Sequence, residues 1–315
     1  MTTTNSDRML VKIAKEICQE EHLEFQSFSH DWIFHIRNKQ GKNAFIFWFQ
    51  FWLNPASINS ICCDKNATSE ILTSLWIPNV EHFLFMSPQR QKYISPTGNW
   101  NKMIELLEKY RTIVCKPNNG TWWEKIFLVK NSFELEIASY EIFKNAWAMD
   151  ISPYYQIENE WRTIVLNGEI KLIYHKERPH LTGDGIHSVG ELFLQKFWSS
   201  NIKKIKEINT DISLDAVLRK NEIYYLTRKH NLWQGATPIF ETNPLIKNKL
   251  SLLVKNITDK LKIRFASIDI ISVNGSLKVI EINSWVMMEY FSQQNQEYYE
   301  IAKSIYRDAI LAMLQ

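Results

Sequence analysis

The chain has 315 residues, of which 45% are hydrophobic and 13% aromatic, and its formal net charge is +3. This length and apolar content predict a globular protein of one large or several small domains. The small net charge excludes nucleic acid as the main partner, and the longest apolar run, over 44–53, is about half of the ~20 residues that a membrane-spanning helix needs.

The cysteines and the N-terminal residues favour a cytoplasmic location. Cys18, Cys62, Cys63 and Cys115 lack the paired spacing of a metal site, so we expect reduced thiols. The first residues are polar, without the apolar segment of a signal peptide. We therefore expect a soluble, cytoplasmic protein with no membrane partner.

The predicted elements alternate between helices and strands. In the first half, the patterns predict a helix over 8–21, strands over 32–37 and 44–53, a helix capped by Asp64 and running to 75, a helix over 101–110, a strand over 112–115, and a helix capped by Asn131 or Ser132. In the second half they predict a strand pair, 161–166 and 169–175, a short helix over 213–220, a strand over 222–227, a helix over 245–261, a hairpin of 266–273 and 277–283, and a final helix over 295–314. This order predicts an α+β or α/β fold in several lobes.

A lysine followed by small residues comes directly after the strand at 112–115. From Lys116 the sequence reads KPNNGTWWEK. Such a strand and turn are typical of a phosphate-binding loop, because backbone N–H groups and an ammonium group converge there. However, Trp122 and Trp123 stand where the backbone should approach the phosphates most closely.

Three oxygen ligands lie in the C-terminal hairpin ASIDIISVNGSLKVIEINS. Glu281 and Asn283 share one strand face because they are separated by one residue. A two-residue turn would pair Asp269 with Ile280, whereas a three-residue loop over 274–276 would pair it with Glu281. We expect the three-residue loop.

On that register, the carboxylate face of the hairpin also carries Ile271, Val273, Leu277 and Val279. Acids in such apolar surroundings require a cation, and two carboxylates with an amide carbonyl suit magnesium that bridges nucleotide phosphates. The alternative is an edge hairpin with solvated charges. Basic residues that could meet phosphate are Lys65, Lys116, Lys176, Arg178, Arg228 and Lys229, although each alone is more often a solvated surface charge.

In this order the motifs resemble the ATP-grasp fold, and most closely the carboxylate–amine ligases grouped with cyanophycin synthetase and the ribosomal-protein glutamate ligase. The strings ENEWRTIVLNGEIKLIYHKERPHLTGDGIHSVGEL, RKHNLWQGA and IDIISVNGSLKVIEINS carry the resemblance. It implies an α+β ATP-grasp fold with two lobes that grip a nucleotide and a small N-terminal α/β domain. The implied divisions are an N-terminal domain over 1–62 and an ATP-grasp domain over 63–315, with a nucleotide lobe over about 112–153 and a catalytic lobe over about 158–315.

The resemblance also implies roles for individual residues, with ATP and two Mg²⁺ ions, or Mn²⁺ in their place, as cofactors. These roles are phosphate binding by Lys65 and Lys116, adenine binding by the segment with Ser152, Tyr154 and Tyr155, ribose binding by Glu160, contact with the transferred phosphoryl group by Lys176, Lys229 and Asn231, substrate binding by Arg162 and Arg178, and metal binding by Asp269, Glu281 and Asn283. The implied reaction is attack of a substrate carboxylate on the γ-phosphate, followed by capture of the acyl-phosphate by an amine. The implied partners are small-molecule or peptide carboxylates and amines, and many such ligases self-associate.

Seven tryptophans stand where the resemblance implies glycine. They are Trp48, Trp52, Trp76, Trp122, Trp123, Trp233 and Trp285. The chain has 9 glycines and 12 tryptophans, whereas an average share of ~7% predicts about 22 glycines. An indole denies the positive φ and close backbone approach for which glycine is used.

Three interpretations of these tryptophans stay open. The chain is a non-catalytic binding module on the same fold, or its loop is rebuilt so that indoles stack on adenine, or a UGA codon that means glycine in the source organism is rendered as tryptophan. Our hypothesis is the last one for Trp122, Trp123, Trp233 and Trp285. Indole at these positions in peptide mass spectra of the natural protein would contradict it. No sequence feature selects a phosphotransferase.

Overall fold

The computed structural model describes residues 8–90, 99–118, 126–197, 211–227, 232 and 235–315. The helices in these ranges are α1 Met9–Glu20, α2 Ala56–Cys62, α3 Lys65–Ser74, α4 Asn99–Tyr110, α5 Ser132–Phe143, α6 Val189–Phe197, α7 Pro244–Leu261, α8 Glu289–Ser292 and α9 Gln296–Met313. The strands are β1 Glu24–Phe28, β2 Ile33–Arg37, β3 Asn43–Phe47, β4 Gln50–Phe51, β5 Phe83–Met86, β6 Ile113–Pro117, β7 Phe127–Val129, β8 Ala148–Pro153, β9 Asn159–Leu166, β10 Glu169–Glu177, β11 His180–Thr182, β12 Ile223–Tyr225, β13 Thr237–Phe240, β14 Phe265–Val273 and β15 Ser276–Asn283.

The mixed α+β class and most predicted helices are confirmed. The Asp64 side chain accepts from the backbone N–H of Ala67 and begins α3. Of the two caps considered for α5, Asn131 is the one that accepts from a first-turn N–H group. Each cap satisfies a donor that the helix itself leaves without a partner.

Two predicted elements are wrong. The run 44–53 is not one strand, because it reverses at residues 48–49 and forms the β3–β4 hairpin. The short helix predicted over 213–220 is absent, and this segment forms turns and an isolated bridge between Val217 and Ser188. In both segments a turn interrupts the apolar pattern from which the element is predicted.

The centre of the fold is an antiparallel sheet of five strands in the order β13-β10-β9-β14-β15. Helix α7, with α2 and α3, packs on the sheet face that carries Val165, Ile268 and Ile270. The opposite face packs on α8, α9 and the N-terminal β1–β4 sheet through Ile164, Leu172 and other apolar residues. The two faces of the sheet therefore serve two separate cores.

A second four-stranded sheet, in the order β5-β8-β6-β7, packs with α4 and α5 around a third core. The chain reaches this sheet through residues 78–80, which pair with β15. The Val80 N–H group donates to the Val279 carbonyl at 2.8 Å, and the Val279 N–H group donates to Pro78 at 2.9 Å. The second sheet thus begins beside the edge strand that carries Glu281 and Asn283.

The N-terminal residues share their core with the C-terminal part of the chain. Leu10 and Ile13 of α1, together with Phe34, belong to the same buried cluster as Phe265 and Tyr306. The division at residue 62 stays a prediction. No helix within the described ranges has both the length and the apolar character required to cross a membrane.

Of the four among these seven tryptophans that the structure describes, at positions 48, 52, 76 and 285, two have a positive φ, the conformation that favours glycine. Trp76 (φ 58°) follows the end of α3. The Trp76 N–H group donates to the Thr73 carbonyl, and the Ile77 N–H group donates to the Leu72 carbonyl. These two bonds form a Schellman motif, in which the residue at the Trp76 position is usually glycine.

Trp48 (φ 59°) is the first of the two residues in the β3–β4 turn, and the second residue, Phe49, has a negative φ. A positive φ at the first position alone is typical of a type II′ turn, which favours glycine there. Trp48 stacks on Trp32, whereas the Trp76 side chain is 92% exposed. The glycine preference at positions 48 and 76 is therefore supported by backbone geometry as well as by sequence.

Replacement of Trp76 by glycine tests this preference. We expect Trp76→Gly to raise the free energy of unfolding by roughly 1 kcal/mol, because a left-handed conformation costs an L-residue roughly 1–2 kcal/mol and the exposed indole contributes little packing. Trp76→Ala is the matched control, since it removes the indole but keeps Cβ, and should give no comparable gain. Equal urea denaturation curves for the two variants would contradict the interpretation.

Candidate active site

Four side chains form a row across four strands of the central sheet. In the strand registers, Tyr174 of β10 is opposite Arg162 of β9, Arg162 is opposite Asp269 of β14, and Asp269 is opposite Glu281 of β15. Because side chains alternate along a strand, Lys176 lies on the same face of β10 as Tyr174. A face that is apolar at Ile164 and Leu172 thus becomes charged towards one end.

The Asp269 carboxylate is the centre of this charged cluster and is almost completely buried. Arg162 donates from Nε to Oδ1 at 2.7 Å and from a terminal nitrogen to Oδ2 at 2.6 Å. The Lys176 ammonium group donates to Oδ2 at 3.0 Å and also to Glu160. The bidentate geometry fixes the Arg162 plane as well as its distance.

The pKa shifts follow from this burial and pairing. Although burial opposes ionisation, Arg162 and Lys176 hold the pKa of Asp269 below its usual range. Burial raises the pKa of Glu160, with Lys176 opposing the rise. The pKa of Lys176 is raised despite burial and the nearby Arg162, because Asp269 and Glu160 favour the ammonium form. The cluster therefore keeps both cations charged in a buried position.

Asp269 is opposite Glu281 as predicted, but the loop that connects the two strands is not the predicted one. The turn has the two residues Asn274 and Gly275, both with positive φ, which is typical of a type I′ turn. The register then shifts by one residue at a β-bulge, because Ile270 pairs with Val279 while Asp269 pairs with Glu281. The extra residue is Ile280, and the three-residue loop was wrong.

The bulge also corrects the predicted faces of the hairpin. Ile280 packs with Ile271 and Val273, on the side that carries Asp269. Leu277 and Val279, which were expected on that side, pack in the core under α7. One extra residue reverses the alternation on β15, and this is why period-two patterning placed them on the wrong face.

The ligand chemistry of the hairpin fits the metal that was predicted. Glu281 and Asn283 are half-buried, and among the described residues Glu281 has no ion-pair partner within 4 Å. Within the same part of the chain, no three His, Cys, Asp or Glu side chains form a metal cluster; the predicted set has two carboxylates and an amide. Oxygen donors of this type suit Mg²⁺. Arg162 occupies both oxygens of Asp269 with hydrogen bonds, whereas, in the described part of the chain, it makes no such pair with Glu281 or Asn283, whose oxygens can serve as ligands.

Lys65 begins α3, which contacts β15 of this hairpin, and Lys116 lies on β6 of the second sheet. The pKa of Lys116 is lowered by burial, and Lys65 lowers it further, whereas the negative charges of Asp150 and Glu281 oppose the shift. The Lys65 ammonium group donates to the Asn118 carbonyl at 3.4 Å. The charges of Lys65 and of Glu281, a predicted metal ligand at the edge of the central sheet, therefore both act on Lys116.

The predicted adenine-binding segment connects the two sheets. Ser152 is buried at the end of β8 and is opposite Val114. The Tyr154 N–H group donates to Thr112 at 3.1 Å, and the Tyr155 ring packs against the cluster that contains Ile271. Glu160, predicted to bind ribose, is the second residue of β9 and is paired with Lys176.

The remaining predicted residues are less informative. The Arg178 guanidinium stacks on the Tyr225 ring at 3.8 Å and, within the described ranges, does not join the Asp269 cluster. Arg162, predicted to bind substrate, is instead the partner of Asp269. Lys229 and Asn231 lie outside the described residues, as do Trp122, Trp123 and Trp233. Tyr174 was missed, although its spacing of two from Lys176 puts it on the same strand face.

Comparisons with known proteins bear on the fold, although no family model matches the chain. Cyanophycin synthetase of Synechocystis sp. is 23% identical over 250 residues, which cover 72% of this chain and 27% of that protein. Among solved structures, a bifunctional glutathione synthetase from Pasteurella multocida superposes with a TM-score of 0.57 and 15% identity over 98% of this chain and 45% of the other. The D-alanine–D-alanine ligase of Bacillus anthracis complexed with ATP superposes with a TM-score of 0.52 and 15% identity. That match covers 81% of this chain and 65% of the other.

The chain has the ATP-grasp fold. The predicted resemblance to ATP-grasp carboxylate–amine ligases is thereby confirmed in both sequence and architecture. The chain spans about a quarter of the length of the curated relative described above, since the match covers 27% of that protein.

Removal of the Asp269 charge tests the cluster. We expect Asp269→Asn to lower the free energy of unfolding by about 3 kcal/mol or more, because Arg162 and Lys176 lose their buried counter-charge. Glu281→Gln is the matched control on the paired strand, and we expect a change of about 1 kcal/mol or less. Urea denaturation of both variants measures the difference, and a tolerated Asp269→Asn would show that the pairing is not essential for folding.

Proposed function

We propose that this chain is an ATP-dependent carboxylate–amine ligase that forms a peptide or amide bond and releases ADP and phosphate. The observation that carries the proposal is the meeting of Lys65 and Lys116 with the edge of the sheet that presents Asp269, Glu281 and Asn283. Polyphosphate needs cations on several sides, and this arrangement supplies two ammonium groups and a set of magnesium ligands. A non-catalytic module would not require this combination.

The residues divide between holding ATP and neutralising charge. Lys65 and Lys116 bind the phosphates, and the backbone of 152–155 meets adenine. Glu281 and Asn283, with Asp269, hold magnesium, for which we propose two ions with Mn²⁺ as a substitute. Magnesium bound there supplies positive charge to the phosphate oxygens.

The reaction follows from positioning rather than from a nucleophile of the protein. A substrate carboxylate oxygen attacks the γ-phosphorus, and the bond to the β-γ bridging oxygen breaks to give ADP and an acyl-phosphate. An amine then attacks the acyl carbon, loses a proton, and phosphate leaves. Lys176 stabilises the charge on the transferred group, with Lys229 and Asn231 as further contacts.

Other parts of the proposal rest on resemblance alone. Arg178 is a proposed contact for the substrate carboxylate or amine, and Glu160 for ribose. The substrates are amino acids, small peptides or peptide tails, as the resemblance implies. We also propose a cytoplasmic location and self-association, with an N-terminal domain over 1–62.

Calorimetric titration with ATP and Mg²⁺ tests nucleotide binding. We expect binding that requires magnesium and that Glu281→Gln weakens by at least about tenfold, since the loss of even a residue that only supports a metal ligand typically costs about 10–100-fold in affinity. Glu177→Gln is the matched control, because this acid is exposed at the end of β10, and its affinity should equal that of the parent chain.

A second chain separates a blocked loop from a wrong proposal. It carries Trp122→Gly, Trp123→Gly, Trp233→Gly and Trp285→Gly. If this chain binds ATP with Mg²⁺ and the parent chain does not, the result would favour the decoding hypothesis. Failure of both chains to bind ATP with Mg²⁺ would contradict the proposal. In a chain that binds, trapping of a hydroxamate by hydroxylamine in the presence of amino acids would reveal the acyl-phosphate.

A further inference from the structure

Lys116 faces a buried acid that the sequence did not single out. Lys116 of β6 is directly opposite Asp150 of β8 in the strand register. The Asp150 side chain has no exposed surface, and its Oδ2 lies 3.7 Å from the Lys116 ammonium nitrogen. The Lys116 side chain is 13% exposed. The acid of this ion pair is therefore fully buried, whereas the lysine stays partly accessible to a ligand.

His82 holds the Asp150 carboxylate from the other side. Its Nδ1 lies 2.7 Å from Asp150 Oδ2. An ionised carboxylate only accepts hydrogen bonds, so Nδ1 carries the proton. Burial lowers the pKa of His82, and the positive charge of Lys116 lowers it further. His82 is therefore a neutral donor, and the ammonium group of Lys116 is the main counter-charge of Asp150.

The same network extends to α3 and to Lys65. The Asn66 side chain donates to the His82 carbonyl at 2.9 Å, and the Asn66 N–H group donates to Asn118 Oδ1 at 3.3 Å. The carbonyl of Asn118 accepts from Lys65. Hydrogen bonds in a mostly buried region thus connect the segments that carry the two lysines.

A purely structural role explains this arrangement poorly. Asp150 lies between Met149 and Ile151, which are fully buried, and within the described residues its Oδ1 and the Nε2 of His82 have no hydrogen-bond partner. A buried carboxylate with one oxygen unsatisfied costs free energy that an apolar residue would not. Groups with perturbed pKa values, such as Lys116 and His82 here, cluster at functional sites.

We propose that Asp150 and His82 are positioning residues that hold the Lys116 ammonium group at a fixed place beside Lys65, ready for the phosphates of a nucleoside triphosphate. This inference rests on the proposed function. Asp150 offsets both burial and the repulsion of Lys65, and Glu281 is the other acid that acts on Lys116. When phosphate arrives, it takes over as the partner of Lys116 without a large movement of the side chain.

A double-mutant cycle tests whether Asp150 acts through Lys116. The variants are Asp150→Asn, Lys116→Met and the double variant, in whichever chain binds ATP. We expect Asp150→Asn to weaken ATP binding about tenfold and to leave adenosine binding unchanged. In the Lys116→Met background it should have no further effect on ATP, because coupled residues are not additive. Additive losses, or equal losses for adenosine, would contradict the inference.

Variants of His82 cover the case in which Asp150→Asn does not fold. His82→Asn retains an N–H group that can donate to Asp150 and should preserve ATP affinity, whereas His82→Leu should lose it about as much as Asp150→Asn. Equal affinities of the two variants would contradict the inference. Absence of ATP binding in the parent and glycine-bearing chains would contradict the proposed function itself, whereas normal ATP binding by Asp150→Asn would contradict only the inference.

Discussion

The buried carboxylate of Asp269 is the constraint on which the site depends. A carboxylate on a central strand is stable only when its charge is neutralised. Arg162 does this from the neighbouring strand β9, and Lys176 does it from β10, one strand further along the sheet. Because each partner is fixed by strand register, the ion pairs also fix the relative positions of β10, β9 and β14. Glu281 then faces the same cluster from β15. Fold and site are therefore determined by the same pairings.

The site is built between sheets, and this explains how far sequence could predict it. The residues of the hairpin were identifiable because Asp269, Glu281 and Asn283 lie close in sequence. The ion pairs of Arg162 and Glu160 were not, because they join strands whose order no local pattern reveals. The β-bulge at Ile280 shows the same limit: it preserved the predicted pairing while reversing the faces of Leu277 and Val279.

Two tryptophans occupy turns whose backbone conformation favours glycine. Trp48 and Trp76 adopt the backbone conformation of glycine, and the exposed indole of Trp76 makes little use of its size. These are the positions that the resemblance had assigned to glycine from sequence alone. Two independent arguments thus favour glycine at these turns, and they leave the ion pairs of the central sheet unaffected, since none of those residues is a tryptophan.

The most direct measurement of the central claim is a crystal structure with Mg²⁺ and a non-hydrolysable ATP analogue. We expect magnesium bound by Asp269, Glu281 and Asn283, phosphates in contact with Lys65 and Lys116, and Arg162 still paired with Asp269. A nucleotide bound elsewhere, or phosphates that leave both lysines without contact, would contradict it.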